Sequence, residues 1–255
     1  MWFISKTLVI AELEARKLKH DPIKLVTSGI QPALWLLILG EIFTQIRAIP
    51  TGDLRYIDFV TPGVLGQSVL FISIFYGMAI IWERDLGIVQ KFLTSPTPRT
   101  ALVAGKALSA GLRVLSEAVI IYLLAALIGV RMNLDPVSVV IVVLILILGV
   151  AVFSTFSLII ACLVKTRERF MGIGQMLTMP LFFASNAFYP IALMSDWFKV
   201  IANGNSLTYM VDAIRSFMLT GSASEFCIGL DITILLGTTV VLIVIGGRLY
   251  SRAVR

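Results

Sequence analysis

Two long runs without a charged residue restrict what this chain can fold into. They cover positions 59–82 and 137–164. A helix needs about 20 predominantly apolar residues to cross the hydrocarbon core of a bilayer, because each residue adds about 1.5 Å. Of the 255 residues, 58% are hydrophobic and 14% are charged, whereas about 25% of the residues in soluble domains are charged. The chain is therefore predicted to be an all-α integral membrane protein.

Six segments have the length and composition of membrane-spanning helices. They cover 26–46, 59–82, 108–130, 137–164, 170–189 and 228–247. One membrane domain, 25–255, accounts for all six, since the remaining residues are too few for a second domain of ordinary size. Glu41 and Asp231, near the outer ends of spans one and six, are interpreted as reaching the lipid headgroups.

The segment 1–24 is predicted to form an amphipathic helix in the cytoplasmic membrane interface. Trp2 and Phe3 contribute to its apolar side, and Lys6 and Arg16 to its polar side, the arrangement of helices that lie in the membrane plane. A plain soluble helix is the alternative. The segment has neither an apolar core of useful length nor a small-residue cleavage site, so a cleavable signal is not expected.

Basic residues are distributed unequally between alternate loops. With the N-terminus inside, the inner segments hold 15 Lys and Arg residues and the outer segments hold 5. Lys and Arg are concentrated on the cytoplasmic side of membrane proteins. Both termini are therefore predicted to be cytoplasmic, in a multi-pass protein of the cell (plasma or inner) membrane.

The segment 186–225, between spans five and six, is too long for a turn and too apolar for a solvated loop. Two interpretations remain open. Short helices re-enter the outer leaflet, where irregular backbone is tolerated only beside protein or a water-filled cavity, or amphipathic helices cover the outer surface.

A polar segment, 83–106, separates spans two and three. Glu83 and Arg84 end the second span, Gly87 permits a bend, and a short helix with an apolar face ends at Ser95-Pro96-Thr97-Pro98, because proline lacks the backbone N–H. Such a helix suits docking into a groove of another protein. An ordinary cytoplasmic loop with a membrane-lying helix is the alternative.

Several kinds of active site lack their sequence signature. The chain has no G-x-x-x-x-G-K-[ST] phosphate loop, no H-E-x-x-H metal motif and no G-x-S-x-G nucleophile elbow. His20 is the sole histidine, and Cys162 and Cys227 are interpreted as packing residues. No cofactor, metal site or enzymatic activity is expected in this chain, so any chemistry belongs to a partner.

Two groups of side chains within the spans are candidates for function. Arg113 and Glu117 share one face of span three at i, i+4, and charges at this depth are costly unless they face protein or water. They are interpreted either as an internal ion pair or as part of a translocation path. Aromatic and methionine side chains adapt to apolar ligands, so the following residues either line a path or pack the interior: Phe71, Phe75, Tyr76, Met78, Met176, Met179, Phe182 and Phe183.

Three motifs, in this order, resemble those of the type-2 ATP-binding-cassette exporter permeases, a family that includes drug-resistance and lipid-linked glycan exporters. They are FVTPGVLGQ at 59–67, WERDLGIVQKFLTSPTPRTALVAGKAL at 82–108 and ASNAFYPIALMSDWFKVIANGNSLTYMVDAIR at 184–215. The chain departs from the family pattern at Gln90, at Met194-Ser195 and at Asn205-Ser206, where the family has an acidic residue, leucine-proline and asparagine-proline.

The resemblance implies a half-transporter without its own ATPase site. Two copies pair, a homodimer being favoured, and each docks an ATP-binding subunit that holds ATP and magnesium. The expected cargo is a hydrophobic or amphiphilic solute, drug-like or lipid, moved outward; lipid-linked polysaccharide is an alternative. An ion-coupled secondary transporter or channel is the alternative from another class. The residues expected to contact the ATP-binding subunit are Glu83, Arg84, Gly87, Phe92, Leu93, Pro96 and Arg99.

Overall fold

The computed structural model of this chain describes residues 29–46, 49–50, 54–86, 99–164, 166–222 and 224–250. Within these ranges the chain is helical, and its single β-bridge joins Met132 to Leu219. The helices are α1 (Gly29–Ile46), α2 (Tyr56–Asp85), α3 (Arg99–Ile128), α4 (Pro136–Leu163), α5 (Arg167–Phe183), α6 (Asp196–Asn203), α7 (Ser206–Met218) and α8 (Ile228–Tyr250).

Five helices of the described chain are long and apolar enough to cross a membrane, against the six that the sequence predicts. Their candidate spans are Gly29–Ile46, Tyr56–Met78, Ala110–Ile128, Pro136–Leu163 and Ile228–Gly246. The expected span at 170–189 corresponds to α5, which has 17 residues and ends at Phe183. The chain turns there because the Ser185 hydroxyl donates to the Phe182 carbonyl at 2.6 Å, and local bonds of this kind compete with helix continuation.

Helix α4 occupies the centre of the bundle and packs against α2, α3, α7 and α8. Its start is specified locally. Asp135 is the N-cap and accepts a hydrogen bond from the Ser138 N–H at 3.2 Å, and Pro136 occupies the first helical position, where its missing N–H is not needed. The 28 residues of α4 carry no charge, which suits a helix surrounded by other helices.

Helix α2 is the most enclosed of the candidate spans. Of its span, 78% is buried, compared with 11% for α8. Close packing with α4 depends on Gly77, because a side chain there would overlap Ser157. The Ser157 hydroxyl donates to the Ile74 carbonyl and accepts the Gly77 N–H at 3.1 Å. A polar side chain thus joins the two helices inside an apolar core.

Helix α1 packs against α2 and contains a π-helical stretch, Trp35–Gly40. The Thr44 hydroxyl near its end accepts the Ile57 N–H at 3.1 Å, which ties the end of α1 to the start of α2. Stretches of π-helix are rare and occur often at functional sites.

Helices α6 and α7 form a hairpin, and α7 lies inside the bundle. Ten of its 13 residues are buried, between α2, α4 and α8. Ser206, at its start, contacts Thr238 of α8 across 3.4 Å between hydroxyl oxygens. Thr238 is ten residues into α8, so α7 begins about 15 Å below the start of that helix. We call the end of the bundle where α8 starts, and to which α7 returns, the hairpin end.

Helix α6 behaves differently from α7. Trp197, Val200 and Ile201 are half to three-quarters exposed, whereas Ala202 is buried. Within the segment 186–225, α7 is therefore buried in the bundle, whereas α6 has an exposed apolar side, and the position of either helix in the membrane stays a prediction.

Candidate functional site

The eight predicted path residues do not form one cluster. On α5, Phe182 is buried, whereas Met176 is 75% exposed and both Met179 and Phe183 are more than 40% exposed. The side chains of α5 therefore divide into an inward part that packs against the core and an outward part that is free to contact lipid, solute or another chain.

On α2, the predicted path residues also separate. Phe71 and Phe75 are partly buried, with ring centroids 6.2 Å apart. Phe75 lies beside Gly174 of α5, so it belongs to the α2–α5 contact. Tyr76 packs against the main core, and Met78 packs in a separate cluster near the far end of α2.

An aromatic cluster joins α1, α5 and the turn that follows α5. Trp35 packs edge-on against Phe182 and Phe188, at 6.1 and 5.0 Å between ring centroids. Phe182 lies 5.5 Å from both Phe183 and Phe188. Edge-to-face pairs at such distances add to the stabilisation from burial. Sequence reasoning did not select Trp35 because nothing near it in the chain indicates its aromatic partners.

Besides this cluster, α1 and α5 both carry exposed apolar side chains. We call them together the α1/α5 face. Its exposed residues are Ile30, Leu34, Leu37, Ile38, Ile42, Ile46, Met171, Ile173, Met176, Met179 and Phe183. Apolar surface of this extent is expected to contact lipid or another apolar surface.

Asn205 anchors the deep end of α7. Its side-chain oxygen accepts the Leu207 N–H at 3.0 Å, so it caps α7. Its amide nitrogen donates to the carbonyls of Leu181 and Ala184 at 2.6 and 2.7 Å. One side chain therefore caps the start of α7 and satisfies carbonyls at the end of α5, which fixes the hairpin against that helix.

Arg215 anchors the other end of α7. Its Nη2 donates to the Asn186 carbonyl at 2.7 Å and lies 3.4 Å from the Phe59 carbonyl, and its guanidinium stacks 3.8 Å over the Phe59 ring. Burial lowers the pKa of Arg215 to about 10, against the opposing charges of Asp212 and Glu225, so it remains a cation at neutral pH. Among the described residues, no carboxylate lies within 4.0 Å of it.

A polar clasp joins α2 to the connection between α3 and α4 at the hairpin end. Arg55 binds Asp58 through two hydrogen bonds, of 2.9 and 2.7 Å, and donates to the Gly129 carbonyl. The hydrogen bond to Asp58 raises the pKa of Arg55 above its usual value. Asp58, which is buried, also accepts the Arg131 N–H at 3.3 Å.

The connection between α3 and α4 is held to the end of α7 as well. The Asn133 N–H donates to the Met218 carbonyl at 2.7 Å, and the Thr220 N–H donates to the Arg131 carbonyl at 3.1 Å. Together with Arg55 and Asp58, these bonds make the hairpin end a cross-linked polar layer.

Glu117 is buried on α3, and Arg113 is partly buried. Arg113 and Ser68 of α2 both contribute to the electrostatic environment of Glu117. No nitrogen–oxygen contact within 4.0 Å joins Arg113 to Glu117 among the described residues, and Glu117 Oε2 has no hydrogen-bond partner there. The buried carboxyl group therefore faces α2.

The predicted contact with an ATP-binding subunit falls mostly outside the described residues. Gly87, Phe92, Leu93 and Pro96 lie there, as does the predicted interfacial helix at 1–24. Glu83 and Arg84 are in the last turn of α2, and Arg99 is the first residue of α3. The two long helices thus flank this segment at the end opposite the hairpin end.

One side chain lies elsewhere than expected. Asp231 is fully buried at the start of α8, so the expectation that it reaches the lipid headgroups is wrong. Helix α7 and the turn before α8 cover it, and Ser224 contacts it at 3.2 Å.

The chain is similar to known membrane permeases. The ABC-2 type transporter family matches it over residues 6–219. A putative transport permease, ycf38, of Cyanophora paradoxa is 28% identical over 84% of this chain and 74% of its own length. The daunorubicin resistance ABC transporter permease protein DrrB1 of Streptomyces coeruleorubidus is 27% identical over 97% of this chain and 86% of its own length.

A probable doxorubicin resistance ABC transporter permease protein, DrrC, of Mycobacterium tuberculosis is 20% identical over 89% of this chain and 82% of its own length. The family match covers most of the chain, including α1 through α7. The resemblance inferred from the three motifs is thereby confirmed, and this chain belongs to the ABC-2 type transporter family of membrane permeases.

Proposed function

We propose that this chain is the transmembrane subunit of an ABC exporter that moves a hydrophobic or amphiphilic, drug-like or lipid solute outward. ATP hydrolysis on a separate subunit, which binds ATP and magnesium, supplies the energy. The observation that carries the proposal is the similarity to a daunorubicin resistance permease over 97% of this chain and 86% of that relative. Similarity over this length includes the whole helical framework rather than one motif.

In the membrane, six segments cross the bilayer, with both termini in the cytoplasm and the hairpin end outside. Five are the apolar helices α1, α2, α3, α4 and α8. The sixth is α5, whose 17 residues extend about 26 Å and are continued by the turns that follow it. The bias of 15 to 5 basic residues towards the inner segments supports this orientation.

Two copies pair through the α1/α5 face to form a homodimer, and the solute moves along this face. Flexible methionine side chains such as Met176 and Met179, both exposed, adapt to apolar solutes of different shapes. The Trp35–Phe182 aromatic cluster behind them provides a rigid support.

The ATP-binding subunit docks on the segment 83–106, through Glu83, Arg84, Gly87, Phe92, Leu93, Pro96 and Arg99. Because α2 is the enclosed helix of the bundle, a force at its cytoplasmic end reaches α4 and the α7 hairpin through direct packing. Closure of the ATP-binding subunits therefore changes the packing between the two permease copies.

Reconstitution with the ATP-binding subunit tests this coupling. Glu83→Ala is expected to leave membrane insertion and basal ATPase activity intact and to reduce ATP-driven transport at least tenfold, about 1.4 kcal/mol of lost coupling. Glu225→Gln, at the hairpin end, removes a carboxylate far from the docking segment and is the control, with transport as in the wild type. Normal transport by Glu83→Ala and by a Gly87 variant would contradict the docking role.

An ion-coupled transporter is the second candidate, favoured by one observation, the buried Glu117 with an unpartnered oxygen. Ionisable groups at this depth often belong to ion or proton paths. The purified chain alone, in liposomes with an imposed ion gradient, separates the two functions. Uphill accumulation without any ATP-binding subunit would support the second candidate and exclude the first.

A further inference from the structure

Three side chains form a hydrogen-bonded chain where α7 meets α8, at the hairpin end. Ser224, in the turn before α8, places its Oγ 2.8 Å from Asp212 Oδ2 and 3.2 Å from Asp231 Oδ2. Asp212 is 1% exposed and Asp231 is 0% exposed. Two buried carboxyl groups on neighbouring helices therefore share a single hydroxyl group.

The protons available for hydrogen bonds among Ser224, Asp212 and Asp231 can be counted. A serine hydroxyl donates one hydrogen bond and otherwise accepts, and Ser224 Oγ already accepts the Cys227 N–H at 2.9 Å. Asp212 Oδ2 accepts two amide protons, from Glu225 at 2.9 Å and Phe226 at 3.2 Å. Asp212 Oδ2 is thus an acceptor from two backbone donors, and its shorter contact with Ser224 identifies it as the acceptor of the Ser224 proton.

The contact between Ser224 and Asp231 is consequently a hydrogen bond only when Asp231 supplies the proton. The surroundings of Asp231 agree with this assignment. Its Oδ1 has no hydrogen-bond partner among the described residues, so an ionised Asp231 would be a buried carboxylate without a donor on either oxygen of its side chain. Burial of an uncompensated charge of this kind is strongly unfavourable.

Among the described residues, the elements around Asp231 provide no close cation. Arg215 directs its Nη2 to backbone carbonyls, and the segment Pro136–Leu163 of α4, which packs against α8, contains no charged residue. Burial and the charge of Asp212 raise the pKa of Glu225, so this region disfavours a further negative charge. The titratable and charged groups that surround the site on α7 and the turn are Tyr209, Asp212, Arg215, Glu225 and Cys227.

We propose that Asp231 is a proton-binding site that joins the α7 hairpin to α8. When Asp231 is protonated, it donates a hydrogen bond to Ser224, and Ser224 in turn donates to Asp212. Without the proton, the hydrogen bond is lost and two buried negative charges face one hydroxyl group, which loosens the turn 224–227 from α8. The location of this site on the external side of the membrane rests on the proposed function; the site itself does not.

The pH dependence of stability tests the site. The folded chain holds a proton that the unfolded chain releases, so stability is fully present at low pH and decreases as pH rises. The equilibrium constant for unfolding in mixed micelles is expected to increase as pH rises above the pKa of an unfolded aspartate, about 3.9, by at most tenfold per pH unit, the limit for one proton. Asp231→Asn, whose amide donates to Ser224 at every pH, is expected to lower this slope by the contribution of one proton and to leave any slope that comes from Glu225.

Asp196→Asn is the matched control, because Asp196 is a fully exposed aspartate of α6, and it should keep the slope of the wild type. Infrared spectroscopy gives a second readout that needs neither unfolding nor transport. The wild type and Asp196→Asn should show a protonated-carboxyl band that Asp231→Asn loses, whereas any band from the buried Glu117 should be the same in all three proteins.

An equal slope in the wild type and Asp231→Asn would overturn the proposal. If Asp231→Asn does not fold, the spectrum of the wild type decides the matter, since the absence of a protonated carboxyl band at pH 6 would equally overturn it. If the wild type shows the band but does not carry out ATP-driven transport with the ATP-binding subunit, that result would instead count against the proposed function. The two failures are therefore distinguishable.

Discussion

The Asn205 side chain stabilises two helix ends, the start of α7 and the end of α5. A helix end leaves backbone groups unpaired, and inside an apolar bundle water cannot satisfy them. Asn205 accepts from the Leu207 N–H of α7 and donates to the carbonyls of Leu181 in α5 and of Ala184, its C-cap. The hairpin can therefore begin deep within the bundle because this residue satisfies both ends at the same place.

Asn205→Ala is expected to reduce the free energy of unfolding by about 3 kcal/mol, since it removes an N-cap and leaves two carbonyls without this donor. The measurement is unfolding in mixed micelles. Asn203→Ala, two residues earlier, is the matched control, because the Asn203 side chain is exposed and only its carbonyl is used, by Tyr209. Its effect should stay within about 0.5 kcal/mol, and equal effects of the two substitutions would contradict the anchoring role.

At the scale of helices, glycines determine how closely the hairpin segment fits into the bundle. A Cβ atom at Gly63 of α2 would lie 2.0 Å from the Ala187 carbonyl oxygen, and one at Gly66 would lie 2.6 Å from Val211 of α7. The first contact is with backbone, which cannot move away by rotating a side chain. The segment after α5 can therefore pack this closely against α2 only at positions where α2 has no side chain.

Gly63→Ala is expected to destabilise the protein by about 2 kcal/mol through overpacking. Gly237→Ala is the control, because a Cβ atom at Gly237 on α8 meets nothing within 4 Å. That substitution should leave stability unchanged or raise it by up to about 1 kcal/mol, since alanine favours the helix. Thermal unfolding in detergent compares the two, and a neutral Gly63→Ala would show that the backbone around Ala187 adapts.

The sequence predicts some helices well for a physical reason. Charge-free runs at 59–82 and 137–164 correspond to α2 and α4 within a few residues, because no local signal opposes the apolar pattern. The end of α5 is predicted less well, since part of what ends it is Asn205, 22 residues after Phe183. Local patterns cannot reveal a cap supplied from so far along the chain.

The candidate site shows the same limit. Burial of Asp231 was not predicted because its cover is Ser224 and α7, which are separated from it by a turn. The sequence does not distinguish between the two alternatives for the segment 186–225, since Asp212 and Arg215 give α7 a polar pattern. Their partners, Ser224 and Asn186, become evident only when the chain is folded.

At the scale of the whole molecule, the distribution of exposed apolar residues bears on assembly. Lipid accepts any apolar helix, so exposure alone does not distinguish the α1/α5 face from the outer side of α3. Met176 is 75% exposed on the first, and Leu127 is 83% exposed on the second. A pair related by twofold symmetry brings the same residue of both copies together only at the interface.

Spin labels at these two positions test the proposed homodimer. In a background without Cys162 and Cys227, labels at Met176→Cys should give a short distance between the two copies, and labels at Leu127→Cys should give a long distance or none. The measurement is pulsed electron resonance on the purified protein. The reverse result would assign the pairing surface to α3 and contradict the proposed dimer.

The π-helical stretch in α1 has a consequence for interpreting mutational scans of this helix. Between Trp35 and Gly40 each hydrogen-bonded turn holds more residues than in the α-helix on either side. The directions of the side chains around the helix axis therefore shift across the stretch. Positions before it and positions after it do not follow one common helical periodicity. A single helical wheel drawn through the whole of α1 would assign lipid-facing positions to the wrong side in one half, so each half needs its own wheel.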